Sequence, residues 1–119
     1  MSDAITRLME ANLLGVFDER DPQRRAAAVA TTYSPDVQWF DDEGVATGHA
    51  ELDAKAAELQ AKLTGLHFAA AGPVRQTRGL GFLAWEVRTP DDTAVASGFD
   101  VAEISEDRIV KLWTILTKE

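Results

Sequence analysis

Ile5, Leu8, Met9, Leu13, Val16 and Phe17 recur along the first seventeen residues at spacings of three, four and one. These spacings wind into a single stripe on a helix. Asn12 is set inside that stripe, three residues after Met9. A second helix is predicted from Asp21-Pro22, an N-cap followed by the residue best tolerated at the first helical position. It should run through RRAAAVATTY and stop before Ser34-Pro35, because a residue ahead of proline avoids the helical region. A third is predicted from about His49 to Thr64, burying Leu52, Ala56, Leu59 and Leu63 and ending at Gly65. Between the last two lies a short hairpin, VQWFD then VAT, turned by Asp42-Glu43-Gly44. After Gly65 the period changes. LHFAAAGPVRQT, GFLAWEVRT, TAVASGFDVAEI and RIVKLWTILT each read as a strand, with turn signals at RGLG, TPDD and SEDR. A helical half followed by a four-stranded meander predicts one α+β domain over residues 1–119, its helices on one face of a curved antiparallel sheet.

Strand alternation places the acids. In VQWFD, the residues Val37, Trp39 and Asp41 share a face. If Trp39 lines the interior, Asp41 lies at the mouth of it. In TAVASGFDVAEI one face carries Val95, Ser97, Phe99, Val101 and Glu103; the other carries Ala94, Ala96, Gly98, Asp100, Ala102 and Ile104. The second face is a row of small residues interrupted by one acid. Small residues on the concave side of a sheet leave room for a cavity, and an acid among them is costly unless protonated or paired. Three polar groups therefore stand where apolar ones are expected: Asn12, Asp41 and Asp100. Each has a plainer reading. Asn12 can bond a neighbouring carbonyl, Asp41 can belong to the turn, and Asp100 can face solvent or pair with Arg75, Arg78 or Arg88.

Composition narrows the functions. The net charge of −8 argues against nucleic acid and anionic membrane as partners, since both need basic surfaces. The absence of cysteine removes disulfides and thiolate chemistry. The opening MSDAITRLMEANLL carries charges among its apolar residues and lacks a signal peptide's continuous run, so the cytoplasm is the expected location. His49 and His67 fall in different elements, and a metal site is not expected from them.

The chain resembles the ketosteroid isomerase-like, SnoaL-like group of the nuclear-transport-factor-2-like superfamily. The resemblance is carried, in order, by the opening amphipathic helix, the ERDP bend, an Asp just after the first strand's aromatics, Gly48-His49 at the third helix, GPVR, FDVAEI and RIVKLW. It implies a cone-shaped α+β barrel of a curved, mainly antiparallel sheet wrapped around three helices, with an internal pocket. By the same resemblance Asp41 falls on the proton-shuttling base, and Asp100 on the acid that stays protonated and donates to the substrate oxyanion. A neutral carboxyl of that kind in ketosteroid isomerase is a known precedent. The tyrosine that donates the other oxyanion bond is missing; its place falls at Asn12 or Leu13. Tyr33 matches a structural position at the end of helix 2.

The leading expectation is a cofactor-independent isomerase or polyketide cyclase that moves a proton on a small apolar, carbonyl-bearing molecule. Asp41 would abstract the proton while Asp100 and Asn12 hold the enolate oxygen. Trp39, Trp85, Leu112, Thr114 and Leu116 would shape the pocket by strand parity. One alternative is a non-catalytic ligand-binding or dimerisation domain of the same fold. Another is epoxide hydrolase-like hydrolysis, for which Arg75 or Arg88 would have to stand between the two acids. A homodimer is expected on the outer sheet face, through Val95, Phe99, Val101, Trp113 and Ile115, which otherwise have no core to join.

Overall fold

The computed structural model describes residues 3–118, and side chains from 4 to 117. The opening amphipathic stretch is not one uniform helix. Helix α1 spans Asp3–Glu10 and passes without a break into a π-helical segment, Ala11–Phe17. Asp18 N–H closes that segment on the carbonyl of Leu13, five residues back. The widened turn keeps Asn12, Leu13, Val16 and Phe17 all buried. Such segments are rare and recur at functional sites.

Helix α2, Pro22–Thr32, opens as expected: the Asp21 side chain accepts from Arg24 N–H and Pro22 occupies the first turn. It ends one residue earlier than predicted, because Tyr33 has extended φ and ψ and already starts strand β1, Tyr33–Asp41. Pro35 lies within that strand, where pairing with β7 is interrupted between Tyr33 and Gln38; proline offers no N–H to a ladder. Strand β2, Gly44–Thr47, completes the hairpin.

Helix α3 runs over Gly48–Lys62. Leu52 and Ala56 are buried as expected. Leu59 and Leu63 are only half-buried, because they face a cavity rather than packed side chains. Gln60 is buried instead, and its amide group reaches the carbonyls of Val16, Phe17 and Glu19 at 3.1, 2.9 and 2.9 Å, where the π-helical segment runs out of internal partners. Its carbonyl accepts from Arg25 at 2.8 Å, and Arg25 pairs with Asp53 at 2.6 Å. Arg20 caps the end of α3 through the carbonyls of Gln60 and Leu66. One polar cluster thus ties α2 and α3 to the segment carrying Asn12.

The remaining strands are β3 (His67–Ala70), β4 (Arg75–Thr77), β5 (Leu80–Arg88), β6 (Ala94–Ser105) and β7 (Arg108–Lys118). LHFAAAGPVRQT, read as one strand, is therefore two. Gly72 at φ 135° and Pro73 turn the chain between them, and both pair with β5. The sheet order is β2-β1-β7-β6-β5-β3, antiparallel except where β1 meets β7, and it does not close on itself. The result is an α+β cone, with helices inside a curved, open, mixed sheet. Leu13, Leu52, Leu83, Ile109 and Leu112 are fully buried where sheet and helices meet, and burying each contributes about 2 kcal/mol.

Candidate active site

A cavity of about 530 Å³ lies between α3, the π-helical segment and the concave sheet face. Its walls are mostly apolar. Trp39, Phe17, Phe68 and Trp85 form a chain of edge-to-face rings, with successive centroids 4.8, 6.5 and 5.5 Å apart. Leu13, Leu59, Leu63, Leu66, Val87 and Leu116 fill the spaces between them. Into this surface project Asp100 at the floor, Asp41 and Lys55 on one side, and Asp42, Glu43, Glu58 and Lys62 around the mouth.

The ladder explains why both strand acids reach one cavity. Strand β1 pairs with β7 through Trp39↔Leu112 and Phe40↔Trp113, which brings Asp41 next to Thr114. Thr114 pairs with Asp100 on β6. Asp41, Thr114 and Asp100 therefore stand in one row on the concave face, the two acids two strand spacings, or about 10 Å, apart along the backbone. The small-residue row of β6 makes the room. At Gly98 an added Cβ would meet the carbonyl oxygen of Ile115 at 2.4 Å and the Trp85 ring at 2.6 Å. The bare backbone lets the Trp85 indole lie across the strand and aim its N–H at Asp100.

Asp100 is 3% exposed and receives three hydrogen bonds. Trp85 Nε1 and Thr114 Oγ1 donate to Oδ1 at 3.1 and 2.9 Å; Asn12 Nδ2 donates to Oδ2 at 2.8 Å. Burial pushes the carboxyl up to about 6, while the bonds from Thr114, Trp85 and Asn12 pull the other way. The upward direction is what the small-residue row implied. The resemblance implied a donor at this position; here the indole and amide N–H groups around it can only donate. Asp100 is surrounded as an acceptor.

Asn12 is fully buried behind that floor, not on the cavity wall. Its Oδ1 accepts from Tyr33 Oη at 2.5 Å. Burial, and then the charge of Asp100, hold the Tyr33 phenol well above its usual range, so it remains a neutral donor. Tyr33 thus belongs to the Asp100 network as well as to the framework.

Asp41 serves the turn and the cavity together. Its Oδ1 accepts the N–H groups of Glu43 and Gly44 at 2.9 and 3.0 Å and the Lys55 ammonium at 2.8 Å. No hydrogen bond reaches Oδ2 among the described residues. Trp39, Trp85, Thr114 and Leu116 lie on the cavity wall; Leu112 does not. Leu112 has the same strand parity but sits deeper, fully buried in the core. Neither Arg75 nor Arg88 reaches the cavity: Arg88 pairs with Glu86 and Asp92, and Arg75 is exposed on β4. Val95, expected on the outer face, is instead at the cavity wall. Pairing jumps from Val87↔Ala96 to Arg88↔Ala94, and this bulge at Val95 reverses its side. His49 bonds the Tyr33 carbonyl and His67 faces Asp92; among the described residues no three His, Cys, Asp or Glu gather around a metal position.

Lys55 was not anticipated. A lysine on a helix reads by default as solvated, and only the fold shows that this one turns toward a strand-end acid.

No protein-family model matches the chain, and no curated protein matches it in sequence. Solved structures match its fold over nearly the full length. A candidate isomerase of the SnoaL-like family from Agrobacterium tumefaciens str. C58 superimposes with a TM-score of 0.89 at 22% identity, covering 97% of this chain and 98% of that one. A candidate SnoaL-like polyketide cyclase from Jannaschia sp. CCS1 gives 0.74 at 13% identity, covering 98% and 90%. TerC, co-crystallised with polyporic acid, gives 0.72 at 18% identity, covering 96% and 92%. The chain shares the fold of these SnoaL-like structures.

Proposed function

We propose that this protein is a small-molecule enzyme of the isomerase or cyclase type, which moves a proton on an apolar, carbonyl-bearing substrate held in the cavity. The observation that carries this reading is the state of Asp41. One carboxylate oxygen is fixed by three donors and the other receives no hydrogen bond among the described residues, at the wall of an apolar cavity. Fixing one oxygen sets the rotamer, and a base must be positioned before it can act. Asp100 sets the floor, orienting Thr114 and Trp85, while Thr114 in turn accepts from Trp39 at 3.0 Å. The fold neighbours described as a candidate isomerase and cyclase, and TerC with its polyporic acid, fit a cavity used for small organic molecules. No metal or organic cofactor enters this reading, and it places the protein in the cytoplasm. No helix among the described residues is long and apolar enough to cross a membrane.

The test is exchange of the α-protons of an apolar ketone such as beta-tetralone in deuterated water, followed by NMR. Wild type should accelerate exchange and Asp41→Asn should not. Equal rates would leave the cavity as a binding site without chemistry.

A homodimer belongs to the same proposal. Phe40, Trp113, Val101 and Phe82 are aligned across four neighbouring strands on the convex face. Phe40 stacks on Trp113 and Phe82 meets Phe99 at a tilt, with Ile115 exposed beside them. A continuous apolar face of this kind is a contact surface. Sedimentation at micromolar concentration should show a dimer; a monomer would remove this part of the reading.

A further inference from the structure

Most hydrogen-bond donors around the cavity are already committed. Trp39 Nε1 donates to Thr114, and Thr114 and Trp85 donate to Asp100. Each of these groups has a single hydrogen, so none remains for a ligand. Asn12 donates to Asp100 from behind the floor. Lys55 is different. Its ammonium has three hydrogens and one hydrogen-bond contact among the described residues, Asp41 Oδ1 at 2.8 Å. Nζ lies 5.1 Å from the centre of the Trp39 ring, which is itself part of the wall. Lys62, the other lysine of the cavity, is exposed at its mouth.

We propose that Lys55 holds the substrate oxygen while Asp41 removes the neighbouring proton, so that the two side chains act as one unit. This rests on the enolisation reading above and gives it the oxyanion partner that Asp100 and Asn12 do not supply. The step conserves charge within the site. The α C–H bond breaks, its proton goes to Asp41 Oδ2, and its electron pair forms the enolate double bond while the carbonyl pair moves onto oxygen. Before the step the Lys55 cation faces the Asp41 carboxylate; afterwards Asp41 is neutral and the same cation faces the enolate. One ion pair replaces another without a buried charge left alone, the condition under which a fixed cation favours the transition state over the bound ketone. The intermediate then takes the proton back at another carbon, or attacks a second carbonyl of the same molecule, whose oxygen takes that proton from Asp41.

The proposal is tested by binding of para-nitrophenol, an enolate mimic whose two charge states differ in colour, alongside para-nitroanisole, which cannot ionise. In Asp41→Asn the ammonium loses its counter-ion. That variant should bind the nitrophenolate about tenfold more tightly than wild type, as a charge-assisted hydrogen bond allows, and binding should lower the ligand's ionisation midpoint. Adding Lys55→Met should remove both effects; adding Lys55→Arg should preserve them. Nitroanisole should bind all four proteins similarly, reporting cavity shape independently of charge. If tight nitrophenolate binding survives Lys55→Met, another group holds the oxygen and the assignment falls while the enolisation reading stands. If neither compound binds wild type or any variant, both fall together.

Discussion

Asp100 and Asp41 face the same cavity from one sheet, two strands apart, and their surroundings are opposite. Asp100 sits at the middle of two long strands, sealed, with neutral donors on both oxygens and no basic side chain among its hydrogen-bond partners. Asp41 sits where β1 ends, with turn amides and a lysine on one oxygen and, among the described residues, no donor on the other. The floor therefore holds a carboxylate with a donor on each oxygen, and the rim holds one with an oxygen to spare. Donors on both oxygens fix geometry, while an oxygen without one can take a proton. On the proposed reading, the difference gives positioning to the floor and chemistry to the rim.

The strongest way to break this contrast is to exchange each acid for its amide. Asp41→Asn should lower α-proton exchange by about 100- to 10,000-fold, the usual contribution of a placed general base, while neutral ligands bind nearly as before. If Asp100→Asn gives the larger loss in rate and Asp41→Asn leaves the rate intact, the assignment of the two acids is reversed.

The effect of Asp100→Asn should instead appear in stability. The folded carboxyl titrates near 6 against an ordinary value of 3.8, so the native state binds its proton more tightly than the unfolded chain. Its contribution is therefore full below pH 4 and is lost as pH rises through 6, by about 3 kcal/mol. Asp100→Asn keeps the shape and removes the charge. We expect it to flatten that part of the pH dependence, read from urea unfolding at pH 4 and pH 7.5, while its NH₂ group, turned toward donors, offsets the gain at neutral pH. A variant with the wild-type slope between those values would place the titrating group elsewhere.

Much of this floor was legible in the sequence, and the reason is burial. A polar residue in an apolar stripe, such as Asn12, or in a row of small ones, such as Asp100, violates a pattern and so stands out. Lys55 violates nothing, since charge on a helix is ordinary. The π-helical turn was hidden because its apolar spacing also suits an α-helix. Tyr33 was read into helix α2, although extended backbone takes over there. Parity found Trp39, Trp85, Thr114 and Leu116, yet it carries no information on depth, which is where Leu112 parts from them. Bulges defeat parity altogether, as at Val95.

Gly98 tests how tightly the floor is built. In Gly98→Ala the new methyl group would overlap the Ile115 carbonyl oxygen and two Trp85 ring atoms, at 2.4, 2.6 and 2.8 Å. The backbone carbonyl cannot rotate away without breaking the β6–β7 ladder, and Trp85 is held by Asp100. We expect a loss of about 1–3 kcal/mol, the range for overpacking, together with a change in Trp85 fluorescence. A variant as stable as wild type with an unchanged spectrum would show that the indole does not lie across this strand.

The smallest and most discriminating change is Tyr33→Phe. The phenol donates to Asn12 Oδ1, and that contact decides which end of the amide faces Asp100. With Tyr33 in place the carbonyl end is engaged and the NH₂ end points at the carboxylate, which favours the ionised acid. Without the hydroxyl the amide is free to turn, and its oxygen can then accept a hydrogen bond from protonated Asp100. The loss in stability should be about 1 kcal/mol, that of one neutral hydrogen bond. The informative readout is the Asp100 carboxyl followed by carbon NMR: its midpoint should rise above the wild-type value near 6. A purely structural role for Tyr33 would lower stability and leave that midpoint where it is. If the midpoint falls or stays fixed, Asn12 is not oriented by Tyr33, and the chain of contacts from phenol to amide to acid does not set the charge of the cavity floor.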